Sequence, residues 1–301
     1  MRKLAAGAAI LFGLSFCPVI PQSPSGSPKL RIVASILPLM EFAKAVAGEN
    51  AEVSLLLPPG AGVHTWQPRA SDIIRMSEAN LFVHVGGGLE PWVDDFLRSV
   101  SNKHLRIMAV ADFLPLEKEK QAGEEAVDPH VWLDFGNDRT VVARLAATLG
   151  ETDPARAAAY SSLAAAYDEK LKQLDALYAE GLKSCSNRVL LLAGHEAFGY
   201  LARRYRLEQV SLTGLSPDAE PTPSAVVSMV EMARKRGIGS VFMEARESPR
   251  LAELLAREIP AKIYVLNPGE NLNKQEWTSG ITFLDLMRQN LENLKKGLGC
   301  E

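Results

Sequence analysis

Residues 153–183 contain no proline after Pro154 and no glycine before Gly181. Ala, Leu, Lys and Glu dominate the stretch, and all are strong helix formers. Pro154 suits a first turn, and Thr152 or Asp153 suits the cap ahead of it. The pattern predicts one helix of about 30 residues, roughly 45 Å long at 1.5 Å rise per residue. Such a rod outruns an ordinary domain. The chain before it and the chain after it must each find a place along it, so it reads as a stiff spine joining two lobes.

Both flanks alternate strand-like and helix-like patterns. Ahead of the spine, strands are expected at 30–35, 51–57, 81–85 and 106–109, with helices at 38–47, 70–79, 90–100 and 137–149. Asn137 or Asp138 would cap the last of these. After the spine, strands are expected at 188–193, 208–212, 240–244 and 262–266, with helices at 196–205, 222–236, 249–258 and 281–298. The polar stretch 116–127 and the stretch 267–279 read as loops. Strands alternating with helices specify an α/β fold, here two lobes each with a mainly parallel sheet flanked by helices. The divisions are 1–28, a leader and linker; 29–150, an N-terminal lobe; 151–184, the linking helix; and 185–301, a C-terminal lobe.

Arg2 and Lys3 precede an apolar stretch, 4–16, too short to anchor in a bilayer, and Pro, Ser and Gly are frequent in 21–28. This is the form of a secretory signal peptide followed by a linker. The expected location is periplasmic or extracytoplasmic. Leu14-Ser15-Phe16-Cys17 carries the Leu and Cys of a lipoprotein signal, although Phe16 stands where a small residue is usual. A lipid-anchored form through Cys17 and loss of Cys17 with the leader are both open. Cys185 and Cys300 remain, in a compartment that permits disulfides. Whether they pair or stay free thiols depends on a Cα approach that spacing does not reveal. A net charge of −3 leaves no basic footprint for nucleic acid.

Three of the five histidines sit in distinctive surroundings: Gly62-Val63-His64-Thr65-Trp66-Gln67-Pro68, Asp128-Pro129-His130-Val131-Trp132-Leu133-Asp134 and Gly194-His195-Glu196-Ala197-Phe198-Gly199-Tyr200. His195 follows the apolar run 189–193, at the carboxyl end of an expected strand, where open α/β sheets bind ligands. His64 and His130 follow turn residues. Imidazole suits zinc, and three imidazoles from separate loops leave a fourth tetrahedral position to fill. Two of the three belong to the first lobe and one to the second, so the site would lie between lobes. Asp128 and Asp134 could cap backbone or orient His130. Trp66, Trp92 and Trp132 would pack around the site and exclude water. His84 reads as a core residue and His104 as a solvated one.

Taken together, these motifs resemble the metal-specific substrate-binding proteins of bacterial ABC importers, the zinc/manganese-binding cluster. The turn Gly86-Gly87-Gly88-Leu89-Glu90-Pro91-Trp92 is similar to that family's as well. The resemblance implies two α/β lobes joined by a rigid helix with a metal ion between them. It implies a monomer that is not an enzyme and that partners a membrane permease with its ATPase. Release would then need only a small movement of the second lobe and its loops. The family often adds an Asp just before the last helix. Here that region reads Thr278-Ser279-Gly280-Ile281-Thr282-Phe283, and the acidic candidates for a fourth ligand are Asp285, one turn on, and Glu244, at a strand end. Water is a third option. Three imidazoles favour Zn(II) over Mn(II), although 116–127 lacks the histidines of the loop that zinc members often carry. A zinc-dependent hydrolase, with Glu244 or Glu196 as base, and an adhesin are the readings from other classes. No His-Glu-x-x-His or Gly-x-Ser-x-Gly element supports the first.

Overall fold

The computed structural model describes residues 29–121, 124–216 and 219–301. The leader, the linker and Cys17 lie outside the described residues. The first lobe runs β1 (Leu30–Ala34), α1 (Leu37–Ala47), β2 (Ala51–Leu55), α2 (Ala70–Ser77), β3 (Leu81–His84), α3 (Val93–Arg98) and β4 (Arg106–Ala109). Its four strands are parallel in the order β2-β1-β3-β4. The central strands β1 and β3 are apolar on both faces over Ile32–Ala34 and Leu81–Val83 because both faces are covered. Ile32, Ala34, Leu81 and Val83 enter the main core, while Val33 and Phe82 pack on the other face with Met76, Trp92 and Phe96. After β3 the chain reverses through Gly86, Gly87 and Gly88, with φ of 78°, 61° and 92°. Side chains other than glycine rarely adopt this conformation.

The polar stretch expected as a loop is instead a hairpin. β5 (Lys118–Gln121) pairs antiparallel with β6 (Glu124–Val127), and Lys118 Nζ lies 2.8 Å from Glu125 Oε2. β5 has no apolar residue, so no alternation advertised it.

The spine is shorter than expected and begins by doubling back. α4 (Phe135–Thr152) is capped by Asp134, whose Oδ1 accepts from the N–H groups of Gly136 and Asn137. Neither Asn137 nor Asp138 serves as the cap. α4 stops at Asp153, which has left helical geometry at φ −135° and ψ 78°. A residue before proline is pushed out of the helical region, and Pro154 follows. A single 3₁₀ turn (Pro154–Arg156) leads into α5 (Ala157–Gly181). Its 25 residues span about 38 Å. Tyr160, Ala164, Tyr167, Leu171, Leu174 and Tyr178 are its buried residues, spaced by alternating fours and threes. That spacing draws one stripe along a helix.

The second lobe runs β7 (Val189–Leu192), α6 (Gly199–Arg204), β8 (Glu208–Ser211), α7 (Pro223–Arg236), β9 (Ser240–Glu244), α8 (Arg250–Glu258), β10 (Lys262–Leu266), α9 (Lys274–Ser279) and α10 (Phe283–Leu298). The stretch read as a loop at 267–279 thus contains α9. The sheet order is β10-β9-β7-β8, again all parallel. Counted from its own first strand, each sheet has the order 2-1-3-4. α5 packs against α1 and α4 of the first lobe and α10 of the second. Tyr178 Oη donates to the Met287 carbonyl at 2.5 Å. Cys185 and Cys300 form a disulfide, 115 residues apart, that joins the start of the second lobe to the end of α10. One apolar core runs from Ile32 and Phe42 through Tyr167 and Leu171 to Phe242 and Leu294. The lobes are therefore two sheets on a shared core. No described helix is long and apolar enough to cross a membrane.

Candidate metal centre

Three segments bring one histidine each to the junction of the lobes. His64 rides on the loop between β2 and α2. Trp92 Nε1 donates to the carbonyl of Val63 at 3.0 Å, and Trp66 packs edge-on against Trp92 with ring centroids 4.8 Å apart. His130 precedes the 3₁₀ turn Val131–Leu133. Asp128 Oδ1 accepts the His130 backbone N–H at 2.9 Å and lies 2.8 Å from its Nδ1. Trp132 Nε1 donates across the lobes to the Pro268 carbonyl at 2.7 Å. Tyr200 Oη, on α6, donates to the Asp128 carbonyl at 3.2 Å and accepts the Glu117 N–H at 2.9 Å. His195 follows β7, and Glu244 ends β9, the strand beside it. The order β10-β9-β7-β8 reverses between these two strands, which is where open α/β sheets form a ligand crevice.

One ring nitrogen from each of His64, His130 and His195 lies within 4.8 Å of the other two. The Nε2 atoms of His130 and His195 are 3.3 Å apart. Two nitrogens each about 2.05 Å from a tetrahedral zinc would be about 3.3 Å apart. His130 and His195 are buried and His64 is partly so. His64 Nε2 has no hydrogen-bond partner. Burial drives the His64 pKa down to about 3, helped by the neighbouring His130 and His195. His64 is therefore neutral at physiological pH and keeps a lone pair for a cation. For His195 burial acts downward, but the carboxylates of Glu244 and Glu247 outweigh it and hold the ring up to about 10. Burial raises Glu244 to about 7, with His195 opposing. A cation arriving among the three histidines would take the place of a proton on His195 Nε2 and leave the Nδ1 proton facing Glu244.

The acids singled out from sequence do not complete the cluster. Glu244 Oε1 is 2.6 Å from His195 Nδ1, close but out of line with a straight hydrogen bond. Nδ1 is not the nitrogen that meets His130, so Glu244 stands behind the imidazole, and His195, Glu244 and Glu247 form a second group of ligand atoms within 4.8 Å of one another. Glu247 Oε1 is 3.5 Å from the same nitrogen. Asp285 is not brought to the centre at all. Its carboxylate closes a capping box with Thr282 at the start of α10 and pairs with Arg288. The reading of the sequence passed over two other residues at this junction. Glu270, 8% exposed, acts electrostatically on Glu244, and Arg246 Nη1 lies 3.6 Å from Glu270 Oε1. Glu270 follows the carboxyl end of β10, the same kind of position that drew attention to His195.

Known proteins resemble this chain over nearly all of its described length. The family described as zinc-uptake complex component A, periplasmic, matches residues 32–297. The high-affinity zinc uptake system protein ZnuA of Bacillus subtilis is 33% identical over 92% of this chain and 90% of its own length. The zinc-binding lipoprotein AdcA of Streptococcus pneumoniae is 34% identical over 98% of this chain, and the match takes in 61% of that longer protein. The crystal structure of the Zn(II)-bound ZnuA-like domain of that AdcA superposes with a TM-score of 0.77, at 34% identity, over 90% of this chain and 99% of the domain. The chain thus spans about three fifths of the streptococcal relative and nearly all of its ZnuA-like domain. It belongs to the family of periplasmic component A proteins of zinc-uptake complexes.

Proposed function

We propose that this chain is an extracytoplasmic solute-binding protein that captures Zn(II) between its lobes and delivers it to an ABC permease driven by a separate ATPase. His64, His130 and His195 are the ligands, and the fourth position is taken by a carboxylate or water. The observation that carries the reading is the convergence of three imidazole nitrogens from both lobes, two of them at the spacing a tetrahedral ion demands. Asp128 and Glu244 stand behind His130 and His195 in the carboxylate–histidine arrangement that orients metal-binding imidazoles. Glu244, which groups with His195, and water are the candidates for that position, whereas Asp285 is engaged in the capping box of α10. Imidazole-rich ligation favours zinc over manganese. The hydrolase alternative has less support, because Asp128 and Glu244 are engaged on imidazoles and are not directed at an open coordination position. Secretion through the leader, a monomeric state and, if Cys17 is lipidated, membrane tethering complete the proposal.

The test is metal content and competitive titration of the purified mature protein with zinc and manganese. His64→Ala, His130→Ala and His195→Ala run alongside. One tightly bound zinc per chain, weakened at least a hundredfold in each variant, is the expected result. Preference for manganese would overturn the choice of ion. Binding indifferent to all three substitutions would overturn the site.

A further inference from the structure

The loop carrying His64 grows from the first lobe, yet second-lobe residues hold it. Asn271 Nδ2 donates to the carbonyls of Pro58 and Ala61, each at 2.9 Å, and the Gly60 N–H donates to the Leu272 carbonyl at 2.8 Å. A fourth contact differs in kind. Arg246, in the turn directly after β9, reaches across with Nη2 to the Gly60 carbonyl at 2.8 Å. The same atom would lie 3.9 Å from a Cβ placed on Gly62, so the guanidinium lies over the loop two residues before His64. Its Nη1 faces the buried Glu270 at 3.6 Å and has no hydrogen-bond partner. One planar side chain thus connects the His64 loop, the buried Glu270 and the end of the strand that backs His195. Lysine, a point charge on a flexible stem, cannot serve both partners at once.

We propose that Arg246 is a positioning residue, a clasp across the lobes that sets the rate at which bound zinc leaves. The proposal rests on the zinc-capture reading. His64 is the most exposed of the three ligands, so it is the one whose withdrawal opens the site. Withdrawal of its loop requires Gly60 to part from Arg246. Loss of the clasp therefore acts on dissociation. Association is little changed, because His130 and His195 remain held by Asp128 and Glu244.

The experiment uses the mature protein loaded with one zinc and mixed with excess chelator in a stopped-flow instrument. Association is measured separately with free zinc. Arg246→Ala is expected to keep one zinc per chain and an association rate within twofold of wild type. Its dissociation rate is expected to rise about tenfold, the worth of one hydrogen bond from a charged donor. Arg246→Lys should recover part of the loss. Dissociation within twofold of wild type in both variants overturns the clasp while zinc capture stands. Loss of stoichiometric zinc together with a collapsed melting transition of the zinc-free protein, in both variants, marks a general structural role and also overturns it. Wild-type protein that takes up no zinc overturns the reading beneath, a result distinct from either.

Discussion

Glu41 joins the lobes on the α1 side of the spine, and its protonation should be visible in the stability of the whole protein. Its Oε1 accepts the N–H of Phe283, the first residue of α10, at 2.9 Å. Burial lifts its pKa from an ordinary 4.5 to about 7; the Phe283 N–H and Lys44 act against the rise, and Asp285 adds to it. Tyr167 of α5 sits close enough to feel Glu41, and burial raises its hydroxyl too. A folded-state pKa above the unfolded value means that the fold prefers the protonated acid. The stability this confers is complete below pH 4.5 and is lost as pH rises through 7. At 1.36 kcal/mol per pH unit, the gap between 4.5 and about 7 corresponds to about 3 kcal/mol at most. Glu41→Gln keeps an acceptor for Phe283 and cannot ionise. It should match wild type near pH 4.5 and exceed it by about 1–3 kcal/mol at pH 8. Guanidinium unfolding of both zinc-free proteins between pH 4.5 and 8, followed by far-ultraviolet circular dichroism, gives the difference directly. A difference that is flat across this range, or a variant less stable than wild type at pH 8, would refute the reasoning.

Two further outcomes follow from the structure. Asp128→Asn removes the charge behind His130 and should weaken zinc binding about 10–100-fold in competitive titration; unchanged affinity would mean that the backbone alone places the ring. Reduction of the Cys185–Cys300 bond, or its replacement by serines, releases a loop with a sequence separation of 115 residues. Chain entropy predicts a loss of about 4–5 kcal/mol, read as a lower melting temperature in reductant, and an unshifted melt would argue that the two ends are held together without it.

The apolar runs at β1, β3, β7 and β9 were legible because parallel strands covered on both faces leave short unbroken stretches of Val, Leu, Ile and Phe. The spine was legible from composition, but its start was not, since Pro154 serves equally as a first turn and as the reason the preceding residue leaves a helix. The β5–β6 hairpin escaped notice because β5 has no apolar residue and so no periodic signature. The three histidines stood out through their flanking residues, whereas the carboxylates did not sort themselves. Asp285 attracted attention for its position, although Thr282 three residues earlier already marked it as a capping acid. Glu270 and Arg246 lie in turns after strands. Only the pairing of β9 with β7 and β10, and the return of the 267–279 segment over the first lobe, brings Arg246 to the His64 loop with Glu270 beside it.

A core that continues through α5 into both sheets has a consequence for how a transporter would recognise its loaded carrier. If nearly every empty molecule already holds its imidazoles in place, no fraction of the binding energy goes into selecting a rare closed form, and apparent affinity approaches the intrinsic one. The same rigidity removes any large change of shape that could announce occupancy. What remains is a change of charge: a divalent ion arrives among three imidazoles, two of them backed by the carboxylates of Asp128 and Glu244. A docking partner would therefore sense a full carrier through the electric field around the junction of the lobes, over about one Debye length, roughly 8 Å in physiological salt.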